Sequence, residues 1–298
     1  QGNDGLGGGS GNYGVGGSRT SLPIGGKARL IIFAILIIIA LANGVDPGAI
    51  LQQSLGLSTS TSGDNATRNQ LQGMYQDGTA NDNRPPADAA RHFVGVVLAD
   101  TEDVWRAVFN ERGKTYIMPQ MILFTGHTQS GCGFASAATG PFYCPADEQV
   151  YIDLNFFIEL QRDLGARGDF AQAYVIAHEV GHHVQQLLGT MERVDALRDR
   201  LPQKAANALQ VKVELQADCY AGIWAKRTAQ IHDSLEAGDI DEAMQAASAV
   251  GDDRLQKHGQ GFVVPDSFTH GSALQRSQWF HKGYENGTLE SCDTFAVR

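Results

Sequence analysis

From Arg91 onward, apolar positions recur at helical spacing in long stretches and crowd together in two short ones. In HFVGVVLADTEDVWRAVFNERG they return every three or four residues and stop at Gly113, which predicts a helix. TYIMPQMILF and EQVYIDL are dense in β-branched and aromatic residues and read as strands. Between them CGFASAATGPFYC, rich in small and turn residues, reads as a loop. NFFIELQRDLG is helical and stops at Gly165, and AYVIAHEVGHHVQQLLG, residues 173–189, follows as a long helix. PQKAANALQVKVELQADCYAGIWAKRTAQI is another, with Pro202 near its start. DSLEAGDIDEAMQAASAV and SALQRSQWFHKGYENG complete a mostly helical second half. The expected fold is α+β over residues 91–298: a small sheet beside the first helices, then helices only.

The pattern upstream differs. Residues 1–26 are glycine-rich and of low complexity, which predicts disorder. Leu30 to Ala42 is an unbroken apolar run of 13 residues, inside a less polar window over residues 27–45. Extended from Ala28 to Val45, the stretch approaches the roughly 20 residues that span a bilayer, with Arg29 near enough to its end to snorkel. Lys27 and Arg29 precede it, so the expectation is a single-pass transmembrane anchor with the rest of the chain on the extracytoplasmic side, periplasmic or extracellular. A cleaved signal peptide ending near ALA, residues 40–42, is the rival reading, and a buried core helix a third. Residues 46–90 are polar and rich in turn residues and read as a flexible linker.

Charge and cysteine content narrow the partners. A formal net charge of −10 argues against a nucleic-acid partner, which needs a basic face. Cys132, Cys144, Cys219 and Cys292 form no C-x-x-C pair, so a thiolate zinc site is not expected. Their even number suits two disulfides in an oxidising compartment, Cys132 with Cys144 and Cys219 with Cys292; four buried free thiols are the alternative.

The helix at residues 173–189 carries the chemistry. At about 100° per residue, Ala173, Ile176, Val180, Val184 and Leu187 form a core stripe. His178 and His182 project from the opposite side, one turn apart, where both imidazoles can close on one metal ion. Glu179 flanks them, within reach of a water on that ion, whereas His183 turns toward the core and reads as structural. The motif is H-E-x-x-H without a nearby third histidine, since Leu188 stands six residues after His182. A catalytic zinc takes three protein ligands and keeps one position open. ELQAD supplies the candidate: Glu214 as ligand and Asp218, one turn on, as the acceptor for a ligand histidine's other N–H.

AHEVGHH together with ELQADCYAG resembles the neutral zinc metallopeptidases of bacteria, a membrane-anchored branch of the zincins. VLADTEDVW, GPFYCPADEQVYIDLNFF, and GDDRLQKHGQG followed by VPDSFTHGSALQRSQWF are similar to the same family, so the likeness covers nearly all of residues 91–298. It implies a zincin-like fold and one catalytic Zn2+ on His178, His182 and Glu214. It also implies Glu179 as general base, Asp218 behind a ligand histidine, and a peptide or protein substrate. His270, with Arg276 following, looks like the His-and-Arg segment that stabilises the oxyanion in Glu-zincins, although Gly271 stands where proline is more typical. His127 and Tyr220 are further candidates for that role, and MILF for an edge strand that pairs with substrate. Two other functions fit the same residues: a tethered, non-catalytic module with a structural zinc, and a zinc hydrolase of a non-peptide amide.

Overall fold

The computed structural model describes residues 87–136 and 139–296. The glycine-rich segment, the anchor expected at residues 27–45, and the linker up to residue 86 lie outside the described residues. No described helix is long and apolar enough to cross a membrane.

Helix α1 (Ala87–Asn110) starts directly after the Pro85-Pro86 pair, four residues before the expected Arg91. Its buried positions Val94, Val97, Thr101, Val104, Trp105 and Val108 repeat at helical spacing and seat one face on the core. The chain then enters a sheet region. Strands β1 (Gln120–Phe124), β4 (Phe142–Cys144) and β5 (Gln149–Asp153) form a three-stranded sheet in the order β1-β5-β4. β1 runs parallel to β5, with Gln120 opposite Gln149 and Phe124 opposite Asp153, while β4 is antiparallel to β5. A separate hairpin, β2 (His127–Ser130) and β3 (Gly133–Ser136), projects from the connection.

The sequence CGFASAATGPFYC, read as a loop, therefore contains strand β3 and strand β4. These strands are only three or four residues long and lack alternating apolar positions, so no local pattern announces them. They are held from outside: Cys132 is disulfide-bonded to Cys144, and Phe142 stacks on Tyr151 across the β4–β5 ladder. Asp153, at the end of β5, accepts hydrogen bonds from Asn155 N–H, capping α2 (Leu154–Arg162), and from Gly126 N–H.

The rest is helical: α3 (Asp169–Leu187), α4 (Thr190–Arg198), α5 (Gln203–His232), α6 (Asp239–Ala249), α7 (Asp252–Gln260) and α8 (Ala273–Asn286). The α+β expectation stands, as a mostly helical fold with a small sheet. α4 and α7 have no counterpart in the hydrophobic pattern, because each buries only two side chains: Thr190 and Val194 in one, Asp252 and Gln256 in the other. α3 is the central element, enclosed by α1, α5, α6 and the sheet, and every residue from Ala173 to Gln185 is buried. The side opposite its apolar stripe thus faces α5 rather than solvent, which corrects the expected two-faced helix.

α5 in turn packs on α8 with its backbone almost touching. A Cβ built on Gly222 would lie 2.0 Å from the Phe280 carbonyl oxygen, and one on Gly283 would lie 1.9 Å from that of Cys219. Only two glycines permit this crossing, and the Cys219–Cys292 disulfide closes it covalently. Gly283→Ala is expected to drive the helices apart and lower stability by about 2–3 kcal/mol, read by urea denaturation. A change under 0.5 kcal/mol, typical of an exposed site, would show that the crossing tolerates a methyl group.

Candidate metal centre

Position on two adjacent helices brings the chemistry together. α3 carries His178 and His182 one turn apart; α5 carries Glu214 and Asp218 one turn apart and lies against it. His178 Nε2 is 3.3 Å and His182 Nε2 3.6 Å from the same Glu214 oxygen, Oε2. The two rings stand perpendicular, 4.8 Å between centroids. A tetrahedral zinc with bonds of about 2.0–2.1 Å sets its ligand atoms roughly 3.3–3.5 Å apart, so the donor spacing fits that ion. Among the described residues, no fourth His, Cys, Asp or Glu joins this group.

Each donor is oriented from behind. His178 Nδ1 lies 2.8 Å from Asp218 Oδ1, and His182 Nδ1 lies 2.9 Å from Gln185 Oε1. Glu214 Oε1 accepts from Gln210 Nε2 at 2.9 Å, leaving Oε2 toward the histidines. Asp218 is wholly buried and is met by three donors besides His178: Arg276 Nε at 2.9 Å, Arg276 Nη2 at 3.0 Å and the Tyr174 hydroxyl at 2.5 Å.

The electrostatics follow from this crowding. Burial opposes ionisation of both carboxylates, but the positive groups facing them prevail. Arg276 and His178 hold Asp218 at about 2, and His182, His178 and His270 hold Glu214 well below the usual carboxylate range. Burial opposes a charged His178 as well, yet the Asp218 and Glu214 carboxylates raise it to about 9. In chemical terms the cluster demands a cation and takes a proton where no metal competes. A bound zinc satisfies the same demand and releases that proton.

The remaining candidates divide. Glu179 follows His178 directly and is 7% exposed, and its carboxylate has no hydrogen-bond or ion-pair partner among the described residues. His270 approaches from the loop before α8 and lies close enough to Glu214 for each to shift the other's titration. Burial lowers the His270 pKa, but its hydrogen bond to Asp252 and the Glu214 charge raise it overall. Arg276, expected beside His270 as an oxyanion donor, is instead buried and spends its guanidinium on Asp218, the Tyr174 hydroxyl and the Val250 carbonyl. His127 is an exposed hairpin residue stacked on Phe134, and Tyr220 packs in the core against Trp105; neither joins the cluster. His183 is buried between Tyr116 and Tyr143, donating from Nε2 to the Ile117 carbonyl at 2.7 Å and accepting the Tyr143 hydroxyl at Nδ1.

Sequence reasoning missed Tyr174, Gln185 and Asp252. Tyr174 stands one turn before His178 and Gln185 three residues after His182, so helical spacing could have flagged both. Asp252 gave no signal, since its partners come from a loop 17 to 19 residues away.

Comparison with known proteins decides the family. A family model described as "Putative neutral zinc metallopeptidase" matches residues 3–295. The chain belongs to this family. It is 52% identical over 211 residues to the uncharacterized protein YpfJ of Escherichia coli (strain K12), covering 71% of this chain and 73% of that one. It is 40% identical over 269 residues to the uncharacterized protein Rv2575 of Mycobacterium tuberculosis (strain H37Rv), covering 87% and 85%. No solved structure matches. The family's name implies zinc, and His178, His182 and Glu214 are the residues here whose donor set fits it.

The Asp218 shift makes a pH prediction for zinc-free protein. Its folded pKa of about 2 lies below the ordinary aspartate value near 3.9. A depressed carboxylate stabilises fully above its unfolded pKa and loses that contribution as pH falls through its folded pKa. Wild-type stability in chelator should therefore drop by roughly 2 kcal/mol more than that of Asp218→Asn between pH 4 and pH 2. Parallel curves from urea titrations across that range would remove the assigned ion pair.

Proposed function

We propose that the domain is a zinc-dependent peptidase that hydrolyses peptide bonds with His178, His182 and Glu214 holding the ion and Glu179 as general base. The observation that carries this reading is the convergence of three buried donors on one point beside an unpartnered glutamate. The absence of a fourth donor among the described residues favours an open coordination position over a closed structural site. The motif helix beneath a small sheet, with the glutamate on the next long helix, is the arrangement a zincin-like fold of the Glu-zincin type requires.

Bound zinc supplies Lewis acidity, polarising the scissile carbonyl and acidifying the attacking water. The chain's own groups do the rest. The Glu179 carboxylate takes the water proton during attack and hands it to the leaving amine. His270 anchors Nδ1 on Asp252 at 3.2 Å, and the Asp252 and Glu214 carboxylates favour its protonated form, which offers an Nε2–H to the oxyanion. Asp218 keeps the His178 ring turned with Nε2 forward, and Arg276 and Tyr174 keep Asp218 in place. β1 lies at a sheet edge, and the chain entering it touches the motif helix through Ile117 on His183. An extended peptide can therefore add to that edge. The apolar segment at residues 27–45 fits a single-pass anchor holding the domain on the extracytoplasmic side, where disulfides persist.

Glu179→Gln is expected to keep zinc at one equivalent and to lower kcat on a peptide substrate by about 10²–10⁴-fold. Mass-spectrometric profiling of peptides released by the two proteins reads both the loss and the natural cleavage sites. Undiminished peptide cleavage by the variant would overturn the mechanism, and activity on a non-peptide amide alone would move the enzyme to another substrate class.

A further inference from the structure

We infer that Gln185 is a positioning residue that decides which ring nitrogen of His182 faces the ion. Gln185 is wholly buried, and every hydrogen-bonding atom of its amide is engaged. Oε1 lies 2.9 Å from His182 Nδ1, while Nε2 donates to the Val213 carbonyl at 2.8 Å and to Gln216 Oε1 at 3.0 Å. The Gln216 amide nitrogen donates in turn to the Cys292 carbonyl at 3.0 Å.

The direction of this chain is forced. A backbone carbonyl only accepts, so Val213 and Cys292 each require an amide NH2 opposite them. That leaves Gln216 Oε1 to accept from Gln185, and Gln185 Oε1 to face His182. Turning the Gln185 amide over would set its NH2 against His182 Nδ1 and its oxygen against two acceptors, inside a region without water access. His182 Nδ1 must then carry the proton, and Nε2 presents its lone pair toward Glu214 Oε2. Two fixed carbonyls thus set the tautomer of one histidine through two glutamines. Cys292, the far anchor, is covalently tied to Cys219 on α5, beside Asp218. The two histidines are held by different chemistry: a carboxylate behind His178 and a neutral amide behind His182. A second carboxylate would add a buried negative charge with no arginine to meet it, because Arg276 already serves Asp218.

The inference rests on the reading of His178, His182 and Glu214 as zinc ligands, and the test separates the two. Zinc dissociation constants are measured by chelator competition on wild type, Gln185→Leu and Gln185→Glu, without any activity assay. Gln185→Leu, which has no acceptor, should bind zinc about 10–100-fold more weakly. Gln185→Glu, held protonated by its full burial, keeps an acceptor at Nδ1 and an O–H toward the Val213 carbonyl, and should remain within a few-fold of wild type. Equal zinc affinity in Gln185→Leu and wild type, or an equal loss in both variants, overturns the positioning role and leaves the site intact. A wild-type protein that binds no zinc removes the site and this inference with it. Should Gln185→Leu fail to fold, 15N spectra of the zinc-loaded wild type decide. A proton on His182 Nδ1 supports the assignment, and zinc on Nδ1 with the proton on Nε2 overturns it.

Discussion

Two carboxylates buried one turn apart on a single helix are the constraint around which this domain is arranged. Leaving Glu214 and Asp218 out of water without partners would cost several kcal/mol each. The fold answers them differently. Asp218, wholly enclosed, receives a guanidinium from α8, a phenol from one turn of α3 and an imidazole from the next. Its charge is balanced within the protein. Glu214 receives one amide from its own helix and two imidazoles, with no arginine or lysine paired to it. The unbalanced charge therefore sits where the donors converge, a group that could hold a metal ion. Asp218 orients the histidine behind it, and Glu214 gives the group the charge that a metal ion could answer.

That arrangement is possible only because three helices approach closely. α3 is enclosed on every side, so its histidines have fixed surroundings rather than a solvent face. α5, thirty residues long, passes between α3 and α8 and meets α8 at paired glycines. Arg276 on α8 can then reach Asp218 on α5, beside Tyr174 and His178 of α3. The Cys219–Cys292 crosslink pins the C-terminal segment to the same stretch of α5. The Cys132–Cys144 crosslink does comparable work for the sheet, whose short strands have little hydrophobic pattern of their own. Rigidity is concentrated where ligand atoms must be held to fractions of an ångström.

Much of this was legible in the sequence, and what was not has a common cause. Helical spacing within one segment shows which side chains share a face: His178 with His182, and Glu214 with Asp218. It also set His183 apart, and His183 indeed turns to the sheet side, between Tyr116 and Tyr143. Spacing does not show what covers a face. The face of α3 bearing His178 and His182 looked like the one turned away from the core; α5 lies on it. Arg276 looked like a group free to meet a reacting oxygen, and Asp218 and Tyr174 occupy it instead. Strands β3 and β4 escaped notice because they are held across the chain, by the Cys132–Cys144 disulfide and by Tyr151 stacked on Phe142, and not by alternation within the strands.

Gly271 shows how a departure from a motif is absorbed. In the segment that His270 resembles, proline more typically follows the histidine, fixing the backbone at a φ near −65°. Here the residue is glycine at φ +94°, a conformation closed to proline. The change contributes a donor that proline lacks. Gly271 N–H joins those of Thr269 and His270 on a single oxygen of Asp252, at 3.0, 2.8 and 2.7 Å, and the Gly271 carbonyl accepts Asp252 N–H at 2.9 Å. The other Asp252 oxygen holds the His270 ring. A ring constraint has been exchanged for a carboxylate at the start of α7, and the loop is fixed by four backbone hydrogen bonds in place of one stiff residue. His270 therefore keeps a defined position near Glu214 despite the altered sequence, because the loop's rigidity is carried by Asp252 instead of by the residue beside the histidine.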